Sequence, residues 1–488
     1  MSDILRSSTL HGLMWSFLER IGQQGVQLVI SIILARLLLP AEFGLIAMLM
    51  LFISLAHALL DSGFGSALIR KQDASRLDES SVFYFNIVLG LAIAGLFALS
   101  APWIAAFYKI PQLIPVIHWM SLNLIINSFG IVQTALMTKC VDFKTQMKAS
   151  IIASALSGVL GVFLAYEGFG VWSLVVQSIS SNTFRTILLW TLSSWRPLWG
   201  FSLKAMAEMF PYGSRLLFTS LINTVFNNIY YLIIGRLFTA TDLGYYSRAQ
   251  STQQLPVQHI LTSTVTRVIF PVFASLQDDL ARLKKALRKS LTSMALVTFP
   301  IMIGLAIVAK PMVLVLLTEK WLPTVPYLQL LCVVGLLFPL QQVGLSNLIA
   351  LGRSDLSFKI EVQTKIFILV AIAITYRWGI KPMIYGQIVT ACIAYAITSI
   401  HLRLLLGYRL WEQVKDLFPS LFVSILMGVV IYLIGIIGIQ SQIILLASQV
   451  TIGIVVFGAL CYLFKLPSFE ELLSIIKTRS GLSAVSPD

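Results

Sequence analysis

The sequence predicts an all-α polytopic membrane protein of about 14 transmembrane helices. These form two pseudo-symmetric six-helix lobes around a central cavity, plus two C-terminal helices. Three observations lead there. The chain of 488 residues is 57% hydrophobic and only 11% charged, against roughly 25% charged for an ordinary soluble domain. Its basic residues cluster in alternate loops, between apolar stretches reaching the ~20 residues that a spanning helix needs. The chain also repeats itself at an offset of 200 residues: IILARLLLPAEFGLI (32–46) aligns with LIIGRLFTATDLGYY (232–246). Arg36 falls on Arg236, Leu37 on Leu237, Glu42 on Asp242 and Gly44 on Gly244, and upstream Gln23 and Gln27 fall on Asn223 and Asn227. Two similar halves in one membrane chain suggest a carrier that rocks one half against the other around a central site.

In chain order, the first lobe (1–200) draws its helices from roughly 13–36, 43–60, 82–106, 113–138, 149–166 and 170–191. The second lobe (201–406) uses roughly 209–235, 243–270, 291–318, 324–350, 360–376 and 382–402. Of these, 243–270 is the least apolar, being rich in Gln, Ser and Thr. Segments 416–437 and 441–464 fall in a third region (407–488), outside the repeat, which ends in a polar tail. The longest loops, about 192–208 and 271–290, have room for short amphipathic helices such as DDLARLKKALRKS and none for a folded domain. Whatever chemistry the chain performs must therefore sit among its helices. Trp103, Trp172, Trp190, Trp195, Trp199, Trp321, Trp378 and Trp411 stand near the expected helix ends, where indole prefers the membrane interface.

Charge sets the orientation. One set of loops carries Arg70, Lys71 and Arg76, then Lys139, Lys144 and Lys148, then the run Arg282, Lys284, Lys285, Arg288 and Lys289. About 23 of the 35 basic residues lie on that side and about five on the other. The rich side is the cytoplasmic one, and an even helix count returns both termini to it. The net charge of +14 is thus a topology signal, not the footprint of a nucleic-acid partner. The first apolar segment is too long for a cleavable signal and has no small-residue cleavage site, so it is expected to act as an uncleaved insertion signal. Cys140, Cys332, Cys392 and Cys461 show no CxxC spacing, which supports neither a disulfide framework nor a zinc site. No metal, cofactor or catalytic residue is expected.

Polar stripes run through several segments. In the first, Arg20, Gln24, Gln27 and Ser31 are spaced to share one helical face, flanked by Glu19 and Gln23. In the seventh, Arg215, Thr219, Asn223 and Asn227 step by four, with Tyr230 and Tyr231 beyond; the eighth carries Arg248, Gln254 and Gln258, with Arg267 near its end. A bilayer penalises such charges by a few kcal/mol each, so they should face a partner or a watery cavity. The amides also suit interhelical glue, and Arg36 and Arg236, at outer helix ends, suit snorkelling or loop closure. Arg20, Arg215, Arg248 and Arg267 fit a cationic cavity instead, with Gln24, Gln27, Asn223, Asn227 and Gln254 beside them. Guanidinium groups grip phosphate and carboxylate bidentately, while amides and aromatics suit sugars, so the combination points to an anionic lipid-linked oligosaccharide. Glu19 is read either as an ion-pair partner of Arg20 or Arg215 or as a site for a coupling proton or cation. His57, His118 and His259 are isolated and read as packed or interfacial. No GxxxxGK[ST] string is present, so ATP hydrolysis through a P-loop is not expected. Gly63-Phe64-Gly65 reads as a turn.

Several strings are familiar: ILARLLLPAEFGLIAM (33–48), LLDSGFGSALIRK (59–71), GFGVWSLVVQ (168–177), GYYSRAQSTQQLP (244–256), RVIFPVFASLQDD (267–279), EKWLPTVPYLQLL (319–331) and IALGR (349–353). With them the chain resembles the Wzx-type, colanic-acid-like flippases of the polysaccharide transporter family. Their superfamily also holds the multidrug and toxin extruders and the lipid II flippase. The resemblance implies two six-helix lobes around a V-shaped cavity with alternating access. The cargo it implies is an undecaprenyl-diphosphate-linked repeat unit, carried to the periplasmic leaflet of the bacterial inner membrane for exopolysaccharide or lipopolysaccharide synthesis. Related flippases carry essential cationic residues in the first helices of each lobe, and by position Arg20, Arg215 and Arg248 are the residues here that the resemblance offers for that role. A polysaccharide polymerase and co-polymerase are the protein partners it brings into view.

Two other readings compete. A drug extruder of the same fold would favour a buried acidic cluster facing the cavity. A membrane glycan polymerase would need a long external loop with essential Arg or His, whereas the external loops here span only about six to ten residues. On the flippase reading, Arg20→Ala and Arg215→Ala should each abolish polysaccharide export while the protein still inserts. A Lys at either position should retain part of the activity, because charge survives without bidentate geometry. Export assays of the two alanine variants check this, and wild-type activity in both would remove the cationic cavity.

Overall fold

A computed structural model describes residues 22, 24–61, 63–71, 73–256 and 269–471, with the backbone alone at 212, 215 and 216. Every regular element among the described residues is helical. That is the expected outcome where no water is at hand to satisfy backbone N–H and C=O groups, since a helix pairs them internally. Among the described residues ten helical stretches are long and apolar enough to cross a membrane, and the protein is a multi-pass membrane protein. The chain divides into two compact units, with the division between Ser247 and Arg248.

The first unit runs from α1 (Gln24–Leu37) through α2 (Pro40–Asp61), α3 (Phe64–Arg70), α4 (Arg76–Leu99) and α5 (Ala101–Tyr108). It continues with α6 (Leu113–Ser128), α7 (Ile131–Lys139), α8 (Phe143–Tyr166), α9 (Val171–Leu192) and α10 (Leu203–Leu237), and ends within α11 (Ala240–Pro256). Hydroxyl and carboxylate side chains set several helix starts. Ser75 and Asp78 form a reciprocal capping box at α4, Asp142 accepts from Thr145 N at α8, and Ser202 accepts from Ala205 N at α10.

The sequence repeat has an atomic counterpart. At the start of α2, Leu39 N donates to Glu42 Oε2 at 2.6 Å; at the start of α11, Thr239 N donates to Asp242 Oδ2 at 3.3 Å. The two acids occupy aligned positions, cap aligned amides, and place negative charge at the positive end of each helix dipole. The aligned glycines then meet reciprocally. A Cβ on Gly44 would collide with the Ala240 carbonyl, and one on Gly244 with the Pro40 carbonyl. Only a hydrogen at both positions lets these helix starts touch backbone to backbone.

The second unit holds α12 (Phe270–Ser275), α13 (Leu280–Leu316), α14 (Thr324–Ala350), α15 (Ser354–Thr375), α16 (Ile380–Leu406), α17 (Leu410–Ile436) and α18 (Gln442–Leu463). The amphipathic stretch DDLARLKKALRKS does not form a separate loop helix. Asp279 caps Arg282 N at 3.0 Å, and no proline or glycine intervenes before Pro300, so the basic run becomes the opening turns of the 37-residue α13. Arg288 grips Asp416 on α17 bidentately at 2.8 and 2.6 Å. Tyr408 donates to the same carboxylate at 2.6 Å, and Lys284 pairs with Glu412 at 3.3 Å. Farther along, Leu296, Val423 and Cys461 share one apolar cluster, and Val308, Met427 and Ile431 another. The two last helices are thus packed onto α13.

Gly44→Val and Gly244→Val should each force the two helix starts apart and lower stability by roughly 3 kcal/mol. Gly95→Ala, where an added carbon meets nothing within 4 Å, should be neutral or gain about 0.5–1 kcal/mol. Thermal unfolding of the purified protein in detergent, followed by tryptophan fluorescence, separates the two outcomes.

Candidate functional site

Two spanning segments of the first unit are interrupted. Residues 40–70 and 113–139 are each long enough for a single span, yet α2 stops at Asp61 and α3 restarts at Phe64, while α6 stops at Ser128 and α7 restarts at Ile131. The first break turns on Gly63, whose φ of +73° is left-handed and whose absent Cβ would lie 2.6 Å from Gly213 Cα on α10. The second break frees carbonyls of α6, and α9 covers them: Trp190 Nε1 donates to Phe129 O at 2.9 Å and Thr186 Oγ1 to Ile126 O at 3.4 Å. The short restarted helices are held by an apolar cluster that joins Phe64 and Leu68 of α3 to Val82 and Phe83 of α4, Val132 of α7 and Met206 of α10. At their far ends Lys71 pairs with Asp78 and Glu208 at 3.0 Å each, and Lys139 Nζ donates to Lys71 O at 2.6 Å.

Between the two breaks lies a cavity of about 820 Å³. His57 and Asp61 come from the end of α2, Gly65 and Ser66 from α3, and Asn127 from the end of α6; Thr134 and Thr138 belong to α7, Asn182 and Arg185 to α9, Ser220 to α10. Several lining groups are tied together. The Asn127 amide is 3.2 Å from His57 Nδ1. Asn182 donates to the buried Asn123 Oδ1 at 2.5 Å, and Asn123 donates to Ser178 Oγ at 3.0 Å. Arg185, half-buried on α9, acts electrostatically on the Asp61 carboxylate. Among the described lining residues these are the two formal charges, and they are opposite. The wall therefore offers hydroxyls, amides and two opposite charges, a surface suited to a polar, hydroxyl-rich ligand. No group of three or more His, Cys, Asp or Glu that could hold a metal ion occurs among the described residues.

Of the candidates named from the sequence, none with a described side chain lines this cavity. Arg20, Glu19 and Arg267 lie outside the described residues, and Arg215 is on α10 with its backbone alone described. Gln24 is half-buried and Gln27 exposed on α1; Asn223 is half-buried and Asn227 exposed on α10. Arg248 and Gln254 are half-buried on α11, in the second unit. There the buried neighbour Gln253 packs against Met302, its Nε2 at 3.9 Å from the sulfur. Tyr230 and Tyr231 are buried against Tyr246, at ring separations of 6.5 and 5.9 Å, and serve packing. The turn expected at Gly63-Phe64-Gly65 is confined to Gly63, since helix resumes at Phe64. His57, expected to be packed or interfacial, lines the cavity. Asp61, Asn127, Asn182 and Arg185 were not picked out from the sequence. Their one available signal was Asp61 beside two glycines in LLDSGFGSALIRK, a carboxylate at a helix break inside an apolar span.

The family profile described as "Polysaccharide biosynthesis protein" matches residues 33–326. The chain is 30% identical over 445 residues to the lipopolysaccharide biosynthesis protein WzxC of Escherichia coli (strain K12), covering 89% of each chain. It is 28% identical over 486 residues to the succinoglycan biosynthesis transport protein ExoT of Rhizobium meliloti (strain 1021), covering 96% of each. Among solved structures it superposes on the lipid II flippase MurJ, in an inward closed conformation, with a TM-score of 0.75 at 15% identity, covering 95% of this chain and 100% of that one. At that identity the likeness establishes a shared fold. From the match over residues 33–326 and the identity to WzxC, the chain belongs to the polysaccharide biosynthesis protein family.

Proposed function

We propose that this protein is a flippase that moves undecaprenyl-diphosphate-linked oligosaccharide repeat units from the cytoplasmic to the periplasmic leaflet of the bacterial inner membrane by alternating access. The observation that carries this reading is a polar cavity of about 820 Å³ set between two broken membrane-spanning helices. Irregular backbone at membrane depth is tolerated where it lines a cavity, and discontinuous helices are how many carriers build their binding sites. Family membership supports the reading, as do the printed names of relatives: ExoT is a succinoglycan biosynthesis transport protein and WzxC a lipopolysaccharide biosynthesis protein. The shared fold with a lipid II flippase agrees with it.

The finer layout belongs to the same proposal. Some 14 helices form lobes 1–200 and 201–406 with 407–488 appended, and both termini face the cytoplasm. The cationic stripe of Arg20, Arg215, Arg248 and Arg267, with its neighbouring amides, holds the diphosphate, and Glu19 serves ion pairing or ion coupling. The chain carries out no covalent chemistry; a polymerase and co-polymerase consume what it delivers. One observation favours the drug-extruder alternative: Asp61 faces the cavity, as an acid that attracts cationic drugs would. Arg185 acting on that carboxylate offsets the attraction, so the flippase reading is preferred.

A strain lacking the gene should accumulate undecaprenyl-linked repeat units in its lipid extract and lose surface polysaccharide, with both changes reversed by the wild-type gene. Mass spectrometry of the extract identifies the cargo. Normal polysaccharide with no accumulated intermediate would contradict the proposal.

A further inference from the structure

Resting on the flippase reading, we infer that the cavity between the α2–α3 and α6–α7 breaks seats the uncharged sugar portion of the cargo, apart from the group that holds its diphosphate. Charge leads to this assignment. A lipid diphosphate brings at least two negative charges, and a seat for it should carry a cationic excess. The described lining of this cavity instead carries one arginine and one aspartate, opposite formal charges with no cationic excess. A diphosphate seated beside Arg185 in this cavity would also face Asp61 as a like charge. A neutral sugar meets no such conflict. Its hydroxyls donate to Asp61 and accept from Arg185 at the same time, and the hydroxyls of Ser66, Thr134 and Ser220 complete a wall of weak, reversible partners.

The built-in order of the wall supports the assignment. Asn182 is oriented by the buried Asn123, which is itself held on Ser178, and Asn127 is oriented by His57. Amides fixed by a supporting layer recognise a hydroxyl pattern because the cost of ordering them is met before the ligand arrives. The volume, about 820 Å³, lies in the upper part of the range of roughly 300–1,000 Å³ known for small-molecule sites.

The test measures binding of two probes to the full-length protein in detergent by native mass spectrometry: undecaprenyl diphosphate, and undecaprenyl diphosphate carrying a neutral oligosaccharide. Wild type should bind the glycan-bearing lipid at least about 10-fold more tightly, a difference of ~1.4 kcal/mol. Arg185→Ala and Thr134→Phe should erase that preference and leave undecaprenyl diphosphate binding within about 2-fold of wild type. The retained binding reports that each variant is folded. As a second measurement, a Ser66→Cys variant, altered at an exposed cavity position, is treated with a maleimide and mapped by peptide mass spectrometry. The glycan-bearing lipid should slow modification at position 66 several-fold, and undecaprenyl diphosphate should not. Equal protection by both probes, or an unchanged preference in both cavity variants, overturns the assignment. A wild-type protein that binds neither probe overturns the flippase reading and the assignment with it.

Discussion

A helix broken inside hydrocarbon leaves amides and carbonyls that no lipid can satisfy, so each break must be covered by other parts of the protein or opened to water. In the first unit both breaks are covered by neighbouring helices. Around Phe129 the freed carbonyls are taken up by Trp190 and Thr186 from α9. At Asp61–Gly63 the chain turns through a left-handed glycine seated against Gly213 of α10. The space between the two breaks is lined by polar side chains. The cavity there brings Asp61 and Arg185 into one lining and sets Asn127 against His57.

The repeat serves a different purpose. Its most legible residues cap the two helix starts and let them touch. Glu42 and Asp242 secure the first turns of α2 and α11, and Gly44 and Gly244 remove the side chains that would otherwise separate them. A contact this symmetric is hard to alter on one side without the other, which accounts for the repeat being readable at these positions and faint in most others. Backbone-to-backbone contact leaves no room for a side chain, whereas lipid-facing positions accept nearly any apolar residue.

The helical class and most spanning segments were legible in the sequence, because hydropathy over some twenty residues integrates many weak signals. Start positions were less so: α13 begins at Leu280, since a basic amphipathic run continues an apolar helix without any break in backbone geometry. The cavity was harder still. Stripes of period 3.6 report what shares a face of one helix, and on that basis Gln24, Gln27, Asn223 and Asn227 stood out. The cavity draws instead at most a few residues from each of several helices, α2, α3, α6, α7, α9 and α10. No periodicity within one segment encodes that convergence, and Arg185 in VWSLVVQSISSNTFRTILLW looks like a lone charge until α2 is placed beside it. The glycines and aspartate of LLDSGFGS marked the place and kept silent about its partners.

The cargo reading joins these parts: a chain of the polysaccharide biosynthesis family, with the fold of a lipid flippase and a polar chamber at its broken helices. Its most direct test is translocation by the purified protein alone. Proteoliposomes would be prepared with undecaprenyl-diphosphate-linked oligosaccharide, the glycans initially exposed outside would be masked by a lectin, and the later appearance of fresh glycan on the outer surface would be followed over time. We predict exposure well above that of protein-free vesicles, competed by excess unlabelled lipid-linked oligosaccharide. A rate equal to that of protein-free vesicles, from protein shown to be folded and inserted, would contradict the proposed function.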